Sequence, residues 1–321
     1  MSSVEVLTIG RSSVDLYAEQ HNVPLADVAT FRKSIGGSPT NVAVAAARLG
    51  RRAALINRVG DDEFGRYIRR GLRRFGVHDG FISTDPELQT PVVFCELMPP
   101  EEPTIVFYRK PRAPDMNITA DSLPLSAIQG APLLWVTGSS FAEEPSRSAA
   151  LMALSARQRI PHTVLDIDYR PMFWSSPEEA AEHIAPALDL CDVVVGNREE
   201  CQVAVGTRVP DEAADRLLER GVRMAVVKLG AEGVLVATGR TRMVIQPIRV
   251  PVVCGLGAGD AFGGSLAHGL LSGWEPAAIV HRANAAGAIV AGRLMCSDEM
   301  PTAAEIDHLL ATGEVPVRRE H

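Results

Sequence analysis

The chain is poor in the residues that mark several large protein classes. Aromatic residues make up only 5% of its 321 residues, and its five cysteines are scattered along the sequence. No two cysteines have Cys-x-x-Cys spacing, and none clusters with histidine, so the sequence predicts neither a disulfide scaffold nor a zinc site of that kind. The cysteines therefore indicate reduced thiols in a cytoplasmic protein.

Features of membrane proteins and nucleic-acid binders are also missing. No uninterrupted apolar run is long enough to span a bilayer, and residues 1–10 lack the basic segment and apolar core of a signal peptide. The formal net charge of −7 argues against a general nucleic-acid binder, which is usually basic. We therefore expect a small-molecule ligand, with no nucleic acid and no membrane as partner.

Short β-branched runs alternate with longer helical patterns along most of the chain. Runs such as 53–59 and 163–167 predict buried strands, whereas 63–75 and 177–188 predict helices. Several helical patterns stop at a glycine, which commonly follows a helix C-terminus. The alternation predicts a single α/β domain, a three-layer sandwich with a central, mostly parallel sheet.

Two segments interrupt this alternation. Residues 11–35 are polar and irregular, and residues 88–112 predict two short strands around the turn at 99–103. We expect these segments to form a small β-layer that projects from the main domain. From the pattern alone, this layer could be a lid over the carboxyl edge of the sheet or a decorative hairpin.

A glycine-rich stretch with one carboxylate precedes the apolar helical pattern at 261–271. It contains Gly257, Ala258, Gly259 and Asp260 in succession. The first N–H groups of a helix have no partner inside the helix, and glycine lets a ligand approach them closely, so such a helix end binds anions such as phosphate. Asp260 could take the proton of a hydroxyl held there, or it could be a plain N-terminal cap. The helix end is expected to lower the pKa of Asp260.

A second glycine pair, Gly36 and Gly37, precedes a helical pattern that contains Asn41. The two glycine motifs occur in the order and at the separation typical of ribokinase-like (PfkB) carbohydrate kinases, which the chain resembles over essentially its whole length. Further matches are Asn197-Arg198-Glu199-Glu200 and the segment from Lys228 to Gly233. The sequence has no Gly-x-x-x-x-Gly-Lys P-loop, no protein-kinase motifs and no dinucleotide-binding fingerprint.

The family resemblance implies phosphorylation of a sugar hydroxyl by ATP, with Mg²⁺. Such a transfer depends mainly on positioning and charge neutralisation, which anion-binding N–H groups can supply. The resemblance also implies a homodimer or larger homo-oligomer, formed through the small β-layer. The residues that match the family's sites are Asp260, Gly257, Ala258 and Gly259 for catalysis; Asp15, Gly36, Gly37 and Asn41 for the sugar; Asn197, Lys228, Gly230, Gly233 and Asn284 for ATP; and Glu200 for Mg²⁺ through water.

Two arginines narrow the expected substrate. Arg109 in the small layer and Arg170 after a strand could both face the sugar, and a guanidinium binds a carboxylate through two parallel hydrogen bonds. Taken singly, each could equally form a surface or structural ion pair. With their neighbouring segments they resemble the branch of the family that phosphorylates the 6-hydroxyl of 5-dehydro-2-deoxy-D-gluconate in myo-inositol catabolism. Kinases of 2-dehydro-3-deoxygluconate are the next alternative, followed by fructokinase or ribokinase activity and by a non-catalytic sugar sensor.

One departure from the family pattern concerns monovalent cations. Many members have Asp-Thr-x before Gly-Ala-Gly-Asp, and that aspartate helps to form a K⁺ site. Here Cys254, Gly255 and Leu256 stand at those positions. Because hard cations prefer oxygen to sulfur ligands, we expect no strong activation by K⁺.

Overall fold

The computed structural model describes residues 4–98 and 104–318, which form two β-sheets and the helices around the larger one. The strands are β1 (Val6–Ile9), β2 (Ser13–Ala18), β3 (Phe31–Gly36), β4 (Ala53–Gly60), β5 (Ile82–Asp85), β6 (Val92–Glu96), β7 (Thr104–Tyr108), β8 (Leu133–Thr137), β9 (Thr163–Asp166), β10 (Val193–Asn197), β11 (Met224–Lys228), β12 (Val234–Thr238) and β13 (Arg242–Ile245). The α-helices are α1 (Ser38–Arg48), α2 (Glu63–Arg74), α3 (Leu125–Gly130), α4 (Ser146–Arg157), α5 (Pro177–Leu188), α6 (Arg198–Val205), α7 (Pro210–Glu219), α8 (Ala258–Leu271), α9 (Pro276–Ala291) and α10 (Ala303–Thr312). Within the described ranges, no helix combines the length and the apolar character needed to cross a bilayer.

The larger sheet has the strand order β13-β12-β11-β10-β9-β8-β1-β4-β5. All neighbours from β11 to β5 pair in parallel, whereas β12 and β13 add an antiparallel edge. This arrangement confirms the predicted central, mostly parallel sheet. The chain leaves β1 toward β4 on one side and reaches β8 on the other. The carboxyl ends of β1 and β8 therefore flank a topological switch point, where ligands bind in sheets of this kind.

Helices cover both faces of the larger sheet. Val6 packs with the apolar side chains of α1, α2, α8, α9 and α10, whereas its neighbour Leu7 packs with those of α3 to α7. Val193 and Val194 alternate in the same way. Because successive side chains of a strand point to opposite faces, strands buried on both faces are apolar throughout. This is why the central strands could be predicted from short β-branched runs.

The smaller sheet has the strand order β3-β2-β6-β7. Strands β6 and β7 come from the predicted small layer; its expected turn at 99–103 lies outside the described residues. Strands β2 and β3 come almost entirely from residues 11–35, which were expected in this layer, but the expectation that the segment is irregular is wrong. Its polar residues hid the strands, because Asp15 and Ser34 are polar yet buried. One side of the sheet packs Tyr17 and Val93 against Cys296, close to the start of α8.

Glycines let α8 pack closely against α1. A Cβ atom on Gly264 would lie 2.3 Å from the Cβ of Ala45, and one on Gly263 would lie 2.9 Å from the Trp135 ring. Any larger residue at these positions would push α8 away from α1 and β8. The short separation brings together the N-terminal turns of both helices, which carry Asn41 and Asp260.

We expect Gly264→Ala to lower the free energy of unfolding by about 1–3 kcal/mol, because the added methyl group overlaps Ala45 in a close-packed core. Gly130→Ala is the matched control. Gly130 is the last residue of α3, and its Cβ position has open space around it, so the change should stay under about 1 kcal/mol. Urea denaturation of both variants measures the difference. Equal stabilities would mean that α1 and α8 can separate without cost.

Candidate active site

A cavity lies between the two sheets, at the carboxyl ends of the parallel strands. Its lining includes Arg11, Asp15, Gly37, Asn41, Arg170 and Asp260. Residues that are far apart in the sequence, such as Asp15 and Asp260, thus share one site. All but Arg11 were expected there from the sequence.

Asp260 lies in the first turn of α8, which begins at Ala258 rather than at the predicted position 261. Its Oδ2 accepts a hydrogen bond of 2.7 Å from Nδ2 of Asn41. The Ser297 hydroxyl donates to Oδ1 of Asn41 at 2.6 Å. This second bond fixes the orientation of the amide, so that its NH₂ group faces the carboxylate. Asn41 therefore holds Asp260 in place from the neighbouring helix.

The start of α8 can bind an anion. Gly257 precedes the helix with a φ of +81°, a conformation that favours glycine, and a Cβ there would lie 2.7 Å from Sγ of Cys296. Within the described chain, the N–H groups of Gly257 and Gly259 have no acceptor. The N–H of Ala258 differs, since it donates to the Gly255 carbonyl at 3.3 Å. The two open N–H groups fit the predicted phosphate cradle.

The pKa of Asp260 is raised, which reverses the expectation drawn from the helix end. Burial among protein atoms is the largest cause, and the hydrogen bond from Asn41 offsets it only in part. The negative charge of Asp168 raises the pKa further. A carboxylate with a raised pKa accepts a proton more readily near neutral pH. Asp260 is thus a stronger base than the sequence predicted.

Asp15 is a second buried carboxylate of the cavity. The Ser13 hydroxyl donates to its Oδ1 at 2.6 Å. Burial, only partly offset by that bond and by the charge of Arg11, raises the pKa of Asp15 to about 6. A Cβ on Gly36 would lie 1.9 Å from Oδ2 of Asp15. Gly36 is therefore needed to leave room for the carboxylate.

The raised pKa of Asp15 makes stability depend on pH. The unfolded chain loses this proton near pH 4 and the folded chain near pH 6, so ionised Asp15 destabilises the fold by roughly 3 kcal/mol above pH 6. We expect Asp15→Asn to be more stable than the unchanged chain at pH 8, with the gain vanishing at pH 4. Thermal unfolding at both pH values measures it. A gain independent of pH would show that Asp15 does not titrate in this range.

The two predicted arginines differ in their surroundings. Nε of Arg170 donates to Oδ1 of Asp168 at 3.0 Å, and Arg170 lines the cavity. Arg109 instead forms a two-pronged ion pair with the buried Asp115 and does not line the cavity that contains Asp260. The geometry thus places Arg109 in an intramolecular pair. Arg11, which the sequence analysis missed, lies in the cavity.

Asn197 and Glu200 form a capping box at the start of α6. Oδ1 of Asn197 accepts from the Glu200 N–H at 2.8 Å, and Oε2 of Glu200 accepts from the Asn197 N–H at 2.6 Å. Nζ of Lys228 lies 3.7 Å from Oε2 of Glu200 and 4.0 Å from Oδ1 of Asp166. A Cβ on Gly259 would lie 3.7 Å from the same Nζ. The ammonium group of Lys228 is therefore next to the anion-binding start of α8.

The surroundings of Lys228 also fit Mg²⁺ held through water. Oδ1 of Asp166 is buried and accepts no hydrogen bond, and Glu200 supplies a second carboxylate nearby. In the part of the chain that the structure describes, no group of three or more His, Cys, Asp or Glu residues could hold a metal directly. Oxygen donors with intervening waters suit Mg²⁺, which gives up its waters reluctantly.

Gly230, Gly233 and Asn284, the other residues predicted for the nucleotide, lie on segments that contact one another. Gly230 and Gly233 have φ values of +63° and +101°, and a Cβ on Gly233 would lie 2.2 Å from the Ile245 carbonyl oxygen. Nδ2 of Asn284 donates to the Gln246 carbonyl at 3.0 Å. The Lys228–Gly233 loop, the segment after β13 and α9 thus meet there.

Comparison with known proteins identifies the family. The family model described as pfkB family carbohydrate kinase matches residues 4–303. The chain belongs to the pfkB family of carbohydrate kinases. This kinase is 35% identical over 319 residues to a 5-dehydro-2-deoxygluconokinase of Photobacterium profundum, with 97% of this chain and 96% of that protein covered. A protein of the same name from Geobacillus kaustophilus is 33% identical over 314 residues, with coverages of 96% and 93%.

A solved structure confirms the fold of this pfkB kinase. The fructokinase of Vibrio cholerae O395, crystallised with fructose, ADP and a calcium ion, superimposes with a TM-score of 0.85 and 30% sequence identity. The match covers 97% of this chain and all of the fructokinase chain. The ribokinase-like fold expected from the two glycine motifs is thereby confirmed.

Proposed function

We propose that this kinase transfers the γ-phosphoryl group of ATP to the 6-hydroxyl of 5-dehydro-2-deoxy-D-gluconate, with Mg²⁺. The observation that carries the proposal is the cavity in which Asp260, held by Asn41, lies with Asp15 and the guanidinium group of Arg170. The names of the two bacterial relatives support this substrate. A neutral sugar would leave the arginine without a charged partner on the ligand.

Asp260 acts as the general base in this proposal. As the hydroxyl oxygen forms its bond to phosphorus and the bond to the ADP oxygen breaks, the hydroxyl proton passes to the Asp260 carboxylate, and ADP leaves with the electron pair. Asn41 keeps the carboxylate in position. Asp15 accepts hydrogen bonds from other sugar hydroxyls, which orients the acceptor. Burial makes both carboxylates more basic than free aspartate.

Charge neutralisation comes from the start of α8 and from Lys228. In this proposal the open N–H groups of Gly257 and Gly259 bind the transferred phosphoryl group, and the ammonium group of Lys228, next to Gly259, assists them. Mg²⁺, when bound through waters near Glu200 and Asp166, would neutralise the phosphates. Because phosphoryl transfer spreads negative charge over several oxygens, such fixed positive groups lower the barrier.

A substrate panel tests the proposal. ADP release with Mg·ATP is measured for 5-dehydro-2-deoxygluconate, 2-dehydro-3-deoxygluconate, fructose, ribose and adenosine. We expect kcat/KM for the first compound to exceed the others at least tenfold, since the arginine needs a carboxylate and the cavity has few aromatic groups for a base. A preference for fructose or ribose would overturn the acidic substrate, and a preference for 2-dehydro-3-deoxygluconate would move the proposal to that acid.

Asp260→Asn shows whether the turnover in this panel arises at the cavity. General-base catalysis contributes about 10²- to 10⁴-fold, so turnover should fall by that order while ATP affinity, measured by calorimetry, stays within a few-fold. Asp307→Asn is the control. Asp307 lies on the exposed side of α10, pairs with Arg282 of α9 and does not line the cavity. Retained turnover in Asp260→Asn would disprove the base assignment.

We also propose that the chain forms a homo-oligomer through the smaller sheet and works in the cytoplasm. Tyr108, on the edge strand β7, is 64% exposed and packs on Phe94, which packs on Phe31. Such an aromatic row on an open sheet favours pairing with a second copy. Sedimentation equilibrium should give at least twice the chain mass, and a monomer at micromolar concentration would contradict the oligomer.

The proposed cytoplasmic location rests on the cysteines. All five are free and buried, as suits a reducing compartment.

A further inference from the structure

We propose that Arg11, rather than Arg109, is the residue that selects a substrate bearing a carboxylate, together with Arg170. This inference rests on the proposed function, because it names the group that reads the acidic end of the sugar. The sequence analysis did not consider Arg11. Its assignment comes from the position, burial and pairing of its guanidinium group.

Arg11 stands at the topological switch point of the larger sheet. Arg11 follows β1 and is preceded by Gly10, where a φ of +138° turns the chain away from the strand. A Cβ on Gly10 would lie 2.7 Å from Oγ of Ser140. Nε of Arg11 then donates to Oγ of Ser139, just after β8, at 3.2 Å. The side chain thus bridges the carboxyl ends of β1 and β8, where ligands of such sheets bind.

The guanidinium of Arg11 is buried and held rigidly. Its side chain is only 7% exposed, and Nη2 donates to Oδ2 of Asp168 at 2.8 Å. Its third nitrogen, Nη1, has no hydrogen-bond partner in residues 4–98 or 104–318. It is not one of the fully buried polar atoms that lack a partner, so it retains access to solvent. Arg11 lines the cavity, and the proposal requires that Nη1 faces it. A fixed guanidinium with free N–H groups is prepared for a carboxylate.

Arg11, Asp168 and Arg170 form a triad with two positive charges and one negative charge, in a cavity that also contains the carboxyl groups of Asp15 and Asp260. Asp168 accepts from both Arg11 and Arg170, so one carboxylate serves two guanidiniums. Burial alone would raise the pKa of Asp168, but the two arginines outweigh it and keep the carboxyl ionised. A substrate carboxylate would match the excess positive charge of this triad without breaking either pair. A neutral group there would leave a buried charge only partly compensated.

Arg109 has no comparable surplus. Its guanidinium is matched by Asp115, which is 1% exposed. Both Arg109 and Arg11 lie over the ring of Phe173, at 5.1 Å and 5.7 Å from its centroid. Of the two, only Arg11 lines the cavity that contains Asp260. Arg109 contacts Asp115 and Phe173 instead.

Arg11→Gln and Arg11→Lys test this assignment. The readout is the ratio of kcat/KM for 5-dehydro-2-deoxygluconate to kcat/KM for its neutral C1 amide, with the KM for ATP measured in parallel. We expect Arg11→Gln to reduce the acid-to-amide ratio at least tenfold, while the KM for ATP changes less than threefold. Arg11→Lys keeps the charge beside Asp168 but cannot reach Ser139, Asp168 and a carboxylate together, so its ratio should fall at least fivefold.

Arg58→Gln is the matched control. Nε of Arg58 donates to the buried Asp85 at 2.9 Å, so the variant also breaks an arginine–aspartate pair, but Arg58 does not line the cavity. Its acid-to-amide ratio should equal that of the unchanged chain. A ratio that fell equally in this control would mean that the Arg11 variants act through general loosening of the structure, and would overturn the assignment.

The remaining outcomes separate the two proposals. If the unchanged kinase does not prefer the acid to the amide, the proposed acidic substrate is wrong. If it prefers the acid and Arg11→Lys keeps the full ratio, the proposed function stands and the role of Arg11 is wrong. Arg11→Gln removes one of the two guanidinium groups that pair with Asp168, and thermal unfolding shows whether this variant is still folded. If it is not folded, the acid-to-amide ratio of Arg11→Lys decides the role of Arg11.

Discussion

The close contact between α1 and α8 is the constraint on which the rest of the site depends. Gly263 and Gly264 let the two helices approach until Nδ2 of Asn41 lies 2.7 Å from Oδ2 of Asp260. The same approach puts the open N–H groups at the start of α8 at the carboxyl edge of the sheet. The proposed base and the proposed anion-binding helix end thereby share one rigid unit, which makes positioning, the main requirement of phosphoryl transfer, a property of the core.

Burial gives these groups their chemical character. Without water, a carboxylate is harder to ionise, so the pKa of Asp260 and that of Asp15 rise even though hydrogen bonds work in the other direction. Asp168 shows the opposite result, because two guanidiniums outweigh its burial. The cavity thus contains two carboxyl groups with raised pKa values and two arginines that share one carboxylate, Asp168. Such a mixture suits a ligand that has both hydroxyl groups to orient and a carboxylate to neutralise.

Much of the fold and part of the site were accessible from the sequence. Buried parallel strands such as β8 and β9 are apolar throughout, and glycine next to a helix start marked the segments around Asn41 and Asp260. Strands β2 and β3 were missed because their polar residues face a buried site, which defeats the usual alternation of apolar and polar residues. Arg11 was missed because a single arginine after a strand carries no local signal. Its meaning depends on Ser139 and Asp168, far along the chain.

The sequence by itself determined the family, the layered α/β fold and the segments that approach the phosphate, since these depend on local periodicity and on glycines that no other residue can replace. Only the tertiary structure decided the direction of the pKa shift of Asp260 and which arginines line the cavity. A helix end alone would lower the pKa of Asp260, but desolvation by distant segments raises it. Arg109 and Arg11 are the same residue type and both pair with a buried aspartate, but Asp168 is shared with Arg170 and only Arg11 lines the cavity. Such pairings are set by packing.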